Sequence, residues 1–336
     1  MKRVLRRLAW AVFVVWATVT IAFLVNHALP SDPARMIAGQ QAPPAAVAKI
    51  RSELGLDRPL WSQYGRFLRR LVHFGPSSFE KTDPQHGSCA NAGPLHLDLG
   101  RSYQQRRPVT TILAERAPRT LLLAFAAACV QALIGVSAGV FAATRRRTSA
   151  DRLAVGLSML GVSAPTFVIG LFLQWLFAYR LRWFPIDGYG ETALEHLASL
   201  VLPAITLGVF GAAYYTRIVR DEMIGELSSD YVRTARAKGL GPLQVTVRHA
   251  LRNAMMPIVT MFGLEIGTLV GGAVVTESVF RWPGLGSLSV NAMLDRDGPL
   301  IMGCVVVTST AVVLSTLAVD LAYAFLDPRV RRSGSS

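Results

Sequence analysis

The chain has 336 residues, 51% of them apolar, with a mean hydropathy of +0.38 and a formal net charge of +14. Several apolar runs approach the roughly 20 residues a helix needs to cross a bilayer, which excludes an ordinary soluble domain. The basic excess does not point to nucleic acid, because the arginines gather at the ends of apolar spans, where they orient a membrane protein.

MKRVLRR precedes an apolar run from Leu8 to about Leu29. The run is long, and Pro30-Ser31-Asp32-Pro33 stands where a signal peptide would carry a small-residue cleavage site, so a retained first span is expected. Residues 30–117 read as an extracytoplasmic segment. Within it Pro43-Pro44 lead into a helix over Ala45–Leu54 that Gly55 ends. Leu60, Tyr64, Phe67, Leu68 and Leu71 recur at helical spacing and predict an amphipathic helix over 59–74. A turn-rich stretch over 76–98 follows, with Asp83, His86, Cys89, His96 and Asp98. Their spacing fits no standard zinc pattern, so a solvated surface loop is expected rather than a metal site.

Five more spans are predicted: Pro118–Ala143, Leu153–Tyr179 with Pro165 inside it, Leu197–Tyr215, Pro257–Thr276 and Pro299–Phe325. The chain therefore divides into residues 1–29, the extracytoplasmic segment 30–117, a five-helix core 118–325 and a cytoplasmic tail 326–336. Six crossings put both termini on one side. The short loops of that side hold eighteen lysines and arginines against four on the other, which makes it the cytoplasmic side. Three cysteines (Cys89, Cys129, Cys304) lack paired spacing, and no Walker-type phosphate loop occurs, so the chain has no ATPase motif of its own.

The longest polar break in the C-terminal half runs from Ser228 to Pro257, the start of the next span, and occupies most of the cytoplasmic stretch 220–256. It reads as two short helices around a glycine corner. Ser228 or Ser229 is placed to cap the first, with Asp230 at the positive end of its dipole. Gly239 supplies the left-handed residue that ends it, and Pro242 starts the second. Leu243, Val247, Ala250, Leu251 and Ala254 form the expected buried stripe of that second helix. Seven basic residues, Arg217, Arg220, Arg233, Arg236, Lys238, Arg248 and Arg252, serve as orientation signal and docking surface.

Within the spans, Gly263, Gly267 and Gly271 recur every fourth residue and predict a helix-packing face. Glu265, Thr268, Gly272 and Thr276 make a polar stripe nearly opposite. Intramembrane carboxylates are costly, so Glu265 is a candidate for the translocation path or for a structural pairing. Asp320 is expected to pair with an interfacial arginine, and Gln131 and Gln174 to hydrogen-bond between helices.

The motifs DYVRTARAKGL (230–240), RHALRNAMMPIVT (248–260), GLEIGTLVGGAVVTESVFRWPGLG (263–286), WFPIDGYG (183–190), PVTTILAERAPRTLLLA (108–124), DLGRSY (98–103), ELGLDRPLWSQY (53–64), HALPSDPAR (27–35) and LDPR (326–329) resemble, in the same order, those of ABC importer permeases of the dipeptide/oligopeptide family. The polar break resembles their cytoplasmic coupling loop, the EAA loop. The resemblance implies an all-α integral membrane protein of six transmembrane helices with a cytoplasmic coupling loop and an extracytoplasmic domain after the first helix. It implies ATPase coupling through Asp230, Tyr231, Arg233, Thr234, Ala235, Lys238 and Gly239, and no covalent chemistry or metal in this chain. The implied partners are a homologous second permease, two ATP-binding subunits that hold ATP and Mg, a solute-binding protein outside and the bilayer of a bacterial inner membrane. The cargo implied is a short peptide, with nickel or another small solute as the alternative and an ion-coupled secondary transporter less fitting. The chain departs from the generic loop at Arg252, where a proline is the rule, and from the wider family pattern in the insertion 77–97 and at Glu265, where relatives often carry Gln.

Overall fold

The computed structural model describes residues 2–28, 33–39, 41–74, 90–92 and 95–326. The expected positions Asp83, His86 and Cys89 and the tail 327–336 lie outside the described residues, as does the side chain of Asp320. The chain is mostly helical and forms two compact units, residues 1–119 with 284–313, and residues 120–283 with 314–336.

In the first unit α1 (Lys2–Ala28) carries the first apolar run. Short helices α2 (Pro33–Ala38), α3 (Pro44–Leu54) and α4 (Leu60–Leu71) follow. Gly55 ends α3 at φ +62°, and the Leu56 N–H donates to the Arg51 carbonyl while the Gly55 N–H donates to that of Ser52, which satisfies the last free carbonyls of the helix. The expectation of an all-α chain is corrected here. β1 (Val72–Phe74), β2 (Ala90–Ala92) and β3 (Leu95–Leu97) form a small antiparallel sheet in the order β1-β3-β2, so α4 stops short of residue 74. The stretch before Asp98 is also not simply solvated. His96 is buried against the His73 ring, and Asp98 is buried, accepts from the Gly100 N–H and faces Arg70. Val109, Ile112 and Leu113 pack with Leu285, Leu288, Leu300 and Cys304 as this unit's core. Asp297, fully buried, fixes the 102–105 turn by accepting from the Ser102 hydroxyl (2.5 Å) and the Gln104 N–H.

Five helices are long and apolar enough to cross a membrane, among the described residues: Leu5–His27, Val109–Thr144, Ala193–Leu227, Pro242–Gly271 and Gly298–Val319. The predicted third span is not one helix. It is α6 (Ser149–Ser163) and α7 (Thr166–Leu173), the latter running into a π-helical turn over Gln174–Arg180. Pro165 sits between them in extended conformation, because proline cannot donate to the helix ladder and biases the residue before it away from helix. The second span starts nine residues earlier than expected, as α5 (Val109–Thr144) carries Pro118 inside it, and the fourth, α8 (Ala193–Leu227), is longer at both ends. Thr192 and Glu195 form a reciprocal capping box at the start of α8.

Two glycine pairs let α5 and α8 cross closely. A Cβ on Gly135 would lie 2.2 Å from the Tyr215 Cβ and 2.9 Å from the Ala212 carbonyl oxygen. Gly139 faces Val219, while Gly208 and Gly211 of α8 face Val130 and Gln131 of α5. Without a hydrophobic drive between helices in lipid, such close backbone approach is what holds them. Gln131 donates across the crossing to the Leu207 carbonyl. Gln174, expected to bridge helices, donates instead to the loop carbonyl of Ile186.

Candidate functional site

The polar break folds as α9 (Asp230–Ala237), a corner at 238–241, and α10 (Pro242–Gln244). Gly239 adopts φ +80°, and the Gly239 and Leu240 N–H groups donate to the carbonyls of Arg236 and Ala235. This double cap requires a left-handed residue, which glycine supplies without steric cost. Pro242 opens α10, where its missing N–H leaves no bond unmade. Ser229 occupies the cap position of α9, yet neither expected serine caps through its side chain. The Ser229 hydroxyl donates back to Glu226 and that of Ser228 to Gly225.

The second helix is not short. From α10 the chain passes through a π-helical turn over Val245–Leu251 straight into α11 (Arg252–Gly272). That turn corrects the expected stripe. A π turn returns to the same face after five residues rather than after three or four. Val245 and Ala250 are therefore superposed and buried, followed by Ala254 and Ile258 at helical spacing, while Leu243 and Val247 are exposed. No proline is needed at Arg252 for this path.

α9 has a packed and an open face. Val232 is fully buried and Ala235 nearly so, both against Val245 and Leu240. Burying one valine stabilises by roughly 1.5–3 kcal/mol, enough to seat so short a helix. Asp230, Arg233, Thr234, Arg236 and Lys238 are exposed. The Arg233–Asp230 pair spans 3.0 Å but is solvated on both sides, so it contributes little stability. Tyr231 donates its hydroxyl to Glu226 at the end of α8. Of the residues assigned to coupling, Ala235 thus builds the element from inside, while Arg233, Thr234 and Lys238 present its surface.

One arginine of the basic set has a different role. Arg220 of α8 donates from Nε and Nη2 to the two carboxylate oxygens of Asp151 at 2.7 and 3.0 Å, and Asp151 also accepts from the Arg147 N–H. It is an internal clamp between the 145–151 turn and α8, not a docking residue. The Arg220 hydrogen bonds, and then that of the Arg147 N–H, hold the Asp151 carboxyl down to about 2. Since the folded value lies below the unfolded one, the clamp's contribution is complete above about pH 4 and is lost as pH falls towards 2. Asp151→Asn is accordingly expected to lower the thermal midpoint of the detergent-solubilised protein equally at pH 8 and pH 5. A loss confined to one of those pH values would contradict the assignment.

The intramembrane candidates separate. Gly263 faces Val319, with the position of an added Cβ 2.3 Å from the valine Cγ2. Gly267 is buried, but Gly271 is exposed. Glu265 is half-buried, faces Gln131 and lies near the Tyr215 hydroxyl, while Thr268 is exposed and bonds to the Glu265 carbonyl. Thr276 does not continue that stripe. The helix breaks at Ala273, and Thr276 is buried in the separate α12 (Val274–Val279).

Two loop motifs also meet. Glu277, fully buried in α12, accepts from Thr120 of α5 at 2.8 Å. Beside it the fully buried Trp282 lies edge-on to Tyr189, which stacks on His196 at 3.9 Å, and the Gly188 N–H donates to the Phe280 carbonyl. Glu277 was not singled out from sequence. The available signal is a single carboxylate in the otherwise uncharged stretch VVTESVF just past a span.

The chain is similar to known proteins along nearly its whole length. A family described as "Binding-protein-dependent transport system inner membrane component" matches residues 135–332, and one described as "Binding-prot-dependent transport system membrane comp, N-term" matches residues 1–124. The chain is 38% identical over 331 residues, 98% of each chain, to a permease of Brucella abortus (strain 2308) named for a peptide transport system. It is 38% identical over 328 residues, again 98% of each chain, to the glutathione transport system permease protein GsiC of Salmonella paratyphi A. Among solved structures, the inward-facing MetNI methionine ABC transporter has a chain that superposes with a TM-score of 0.55 at 19% identity, over 65% of this chain and 97% of that one, which speaks to the fold alone.

Proposed function

The chain belongs to the family of binding-protein-dependent transport system inner membrane components, and on that premise we propose that it is the permease subunit of an ATP-driven ABC importer of short peptides. The reading rests above all on similarity along nearly the whole length to permeases named for peptide and glutathione transport. Charge asymmetry supports cytoplasmic termini and a cytoplasmic α9, with the broken α6–α7 pair as the third of six crossings.

The exposed face of α9 is then the surface that partner ATPase subunits grip. Closure of those subunits on ATP with Mg pushes α9 as a lever. Because α10 continues without interruption into α11, a push at the corner reaches Glu265 along one helix. Binding energy of ATP biases a two-state membrane element, which is what coupling requires. A second permease completes the path, and a solute-binding protein delivers cargo to the segment after α1.

The test is uptake into proteoliposomes that hold this chain with its partner permease, ATPase and binding-protein subunits. Labelled di- to pentapeptides and glutathione are expected to accumulate with ATP. ATPase stimulation and uptake that respond to nickel and to no peptide would overturn the substrate assignment, and uptake driven by an ion gradient without ATP would overturn the class.

A further inference from the structure

The first unit contains a cavity of about 1610 Å³, larger than the ~300–1,000 Å³ that holds a drug-sized ligand. Seven arginines line it, among them Arg66, Arg69, Arg101, Arg106 and Arg296, against two carboxylates, Glu53 and Asp57. Adding Asp98, which faces Arg70, still leaves four guanidinium charges in excess among the described residues. Arg66 donates from Nη2 to the Gly55 carbonyl, while its Nε is buried without a partner. Guanidinium groups in such number suit phosphate oxygens, which they bind as a planar fork.

Part of the remaining wall is apolar. Phe23, Leu54, Leu56, Leu60, Phe67 and Met302 line the cavity. Phe23, Phe67 and Met302 also belong to one packed cluster with Val19 and Tyr64. Its depth is fixed by the spans. His27 is the last residue of the first candidate crossing, and Gly298 the first of the last one, and both line the cavity. A crossing ends where hydrocarbon gives way to headgroups. Positive charge over an apolar wall at that depth matches one ligand chemistry, an anionic phosphate attached to a hydrocarbon body.

We infer that this cavity is a binding site for an anionic phospholipid, its phosphate held by the arginines and part of an acyl chain against Phe23, Phe67 and Met302. A free phosphate would use the arginines but leave the apolar wall wet, and a neutral lipid would bring no net negative charge to the arginines. The inference does not depend on which solute the protein carries.

The experiment uses the full-length protein purified in a mild uncharged detergent, with phosphatidylglycerol, phosphatidylcholine and inorganic phosphate as probes. Lipid retained per chain is counted by native mass spectrometry, and affinity is read from titrations of the thermal midpoint. Phosphatidylglycerol is expected to bind at least tenfold more tightly than phosphatidylcholine. The triple variant Arg69→Gln/Arg106→Gln/Arg296→Gln removes three exposed charges and is expected to lose that preference, while Arg69→Lys/Arg106→Lys/Arg296→Lys keeps most of it. Equal affinity for the two lipids would overturn the proposal. So would an unaltered preference in the glutamine variant. Inorganic phosphate at millimolar level displacing the lipid completely would overturn the lipid as the ligand. Should the glutamine variant fail to fold, the lipid comparison on the unaltered protein and the lysine variant still decides.

Discussion

Gly239→Pro is expected to abolish ATP-driven uptake, by at least tenfold, while the chain still inserts and folds. Gly239 stands at φ +80°, and proline is fixed near −65°, so the corner between α9 and α10 cannot form. The substitution also removes the N–H that donates to the Arg236 carbonyl. Nothing lies within 4 Å of an added Cβ, so the effect is conformational rather than a clash. Gly239→Asn separates the two causes, because asparagine tolerates the left-handed region at low cost. It should keep most of the uptake, and Gly239→Val, strained by roughly 1–2 kcal/mol, should fall between. Uptake and ATPase pull-down measured side by side check this. Proline-variant uptake within twofold of the unaltered protein would remove α9 from the coupling path.

Gly135→Ala is expected to be the most destabilising single-methyl change in the spans. The new Cβ would meet the Tyr215 Cβ at 2.2 Å and the Ala212 carbonyl oxygen at 2.9 Å, and neither is the far end of a flexible side chain. Relief requires α5 and α8 to separate, which loosens Gly139 against Val219 and the Gln131–Leu207 bond together. Overpacking typically costs about 1–3 kcal/mol, and Gly135→Leu should exceed that and yield no monodisperse protein. Gly156→Ala is the control. That helical glycine has nothing within 4 Å, so added methyl and helix propensity should leave the midpoint unchanged or raised. Fluorescence-detected size exclusion and thermal midpoints in detergent give the comparison. Equal midpoints for Gly135→Ala and Gly156→Ala would show that the crossing is softer than its distances imply.

The glycines mark how far sequence reasoning carries. Gly135 and Gly139 have the same every-fourth-residue spacing as Gly263, Gly267 and Gly271, and spacing alone does not rank the two sets. Which glycine touches another helix depends on how each helix is rotated about its axis. Neighbours set that rotation, and the break at Ala273 ends the face that Thr276 was expected to share.

The sequence by itself determined the membrane class, the apolar spans, the basic corner between them, the left-handed residue at Gly239 and the helix start at Pro242. Each follows from local physics: apolar length, charge at span ends, and the backbone freedom of single residues. Only the tertiary structure decided that Arg220 clamps Asp151, that Glu277 is buried against Thr120, that α10 runs unbroken into α11 and that Val245 rather than Val247 faces inward. An ion pair and a hydrogen bond between residues 69 and 157 positions apart depend on which helices are neighbours. The inward face of α11 depends on one extra residue in a π turn, and periodicity at 3.6 residues cannot register it.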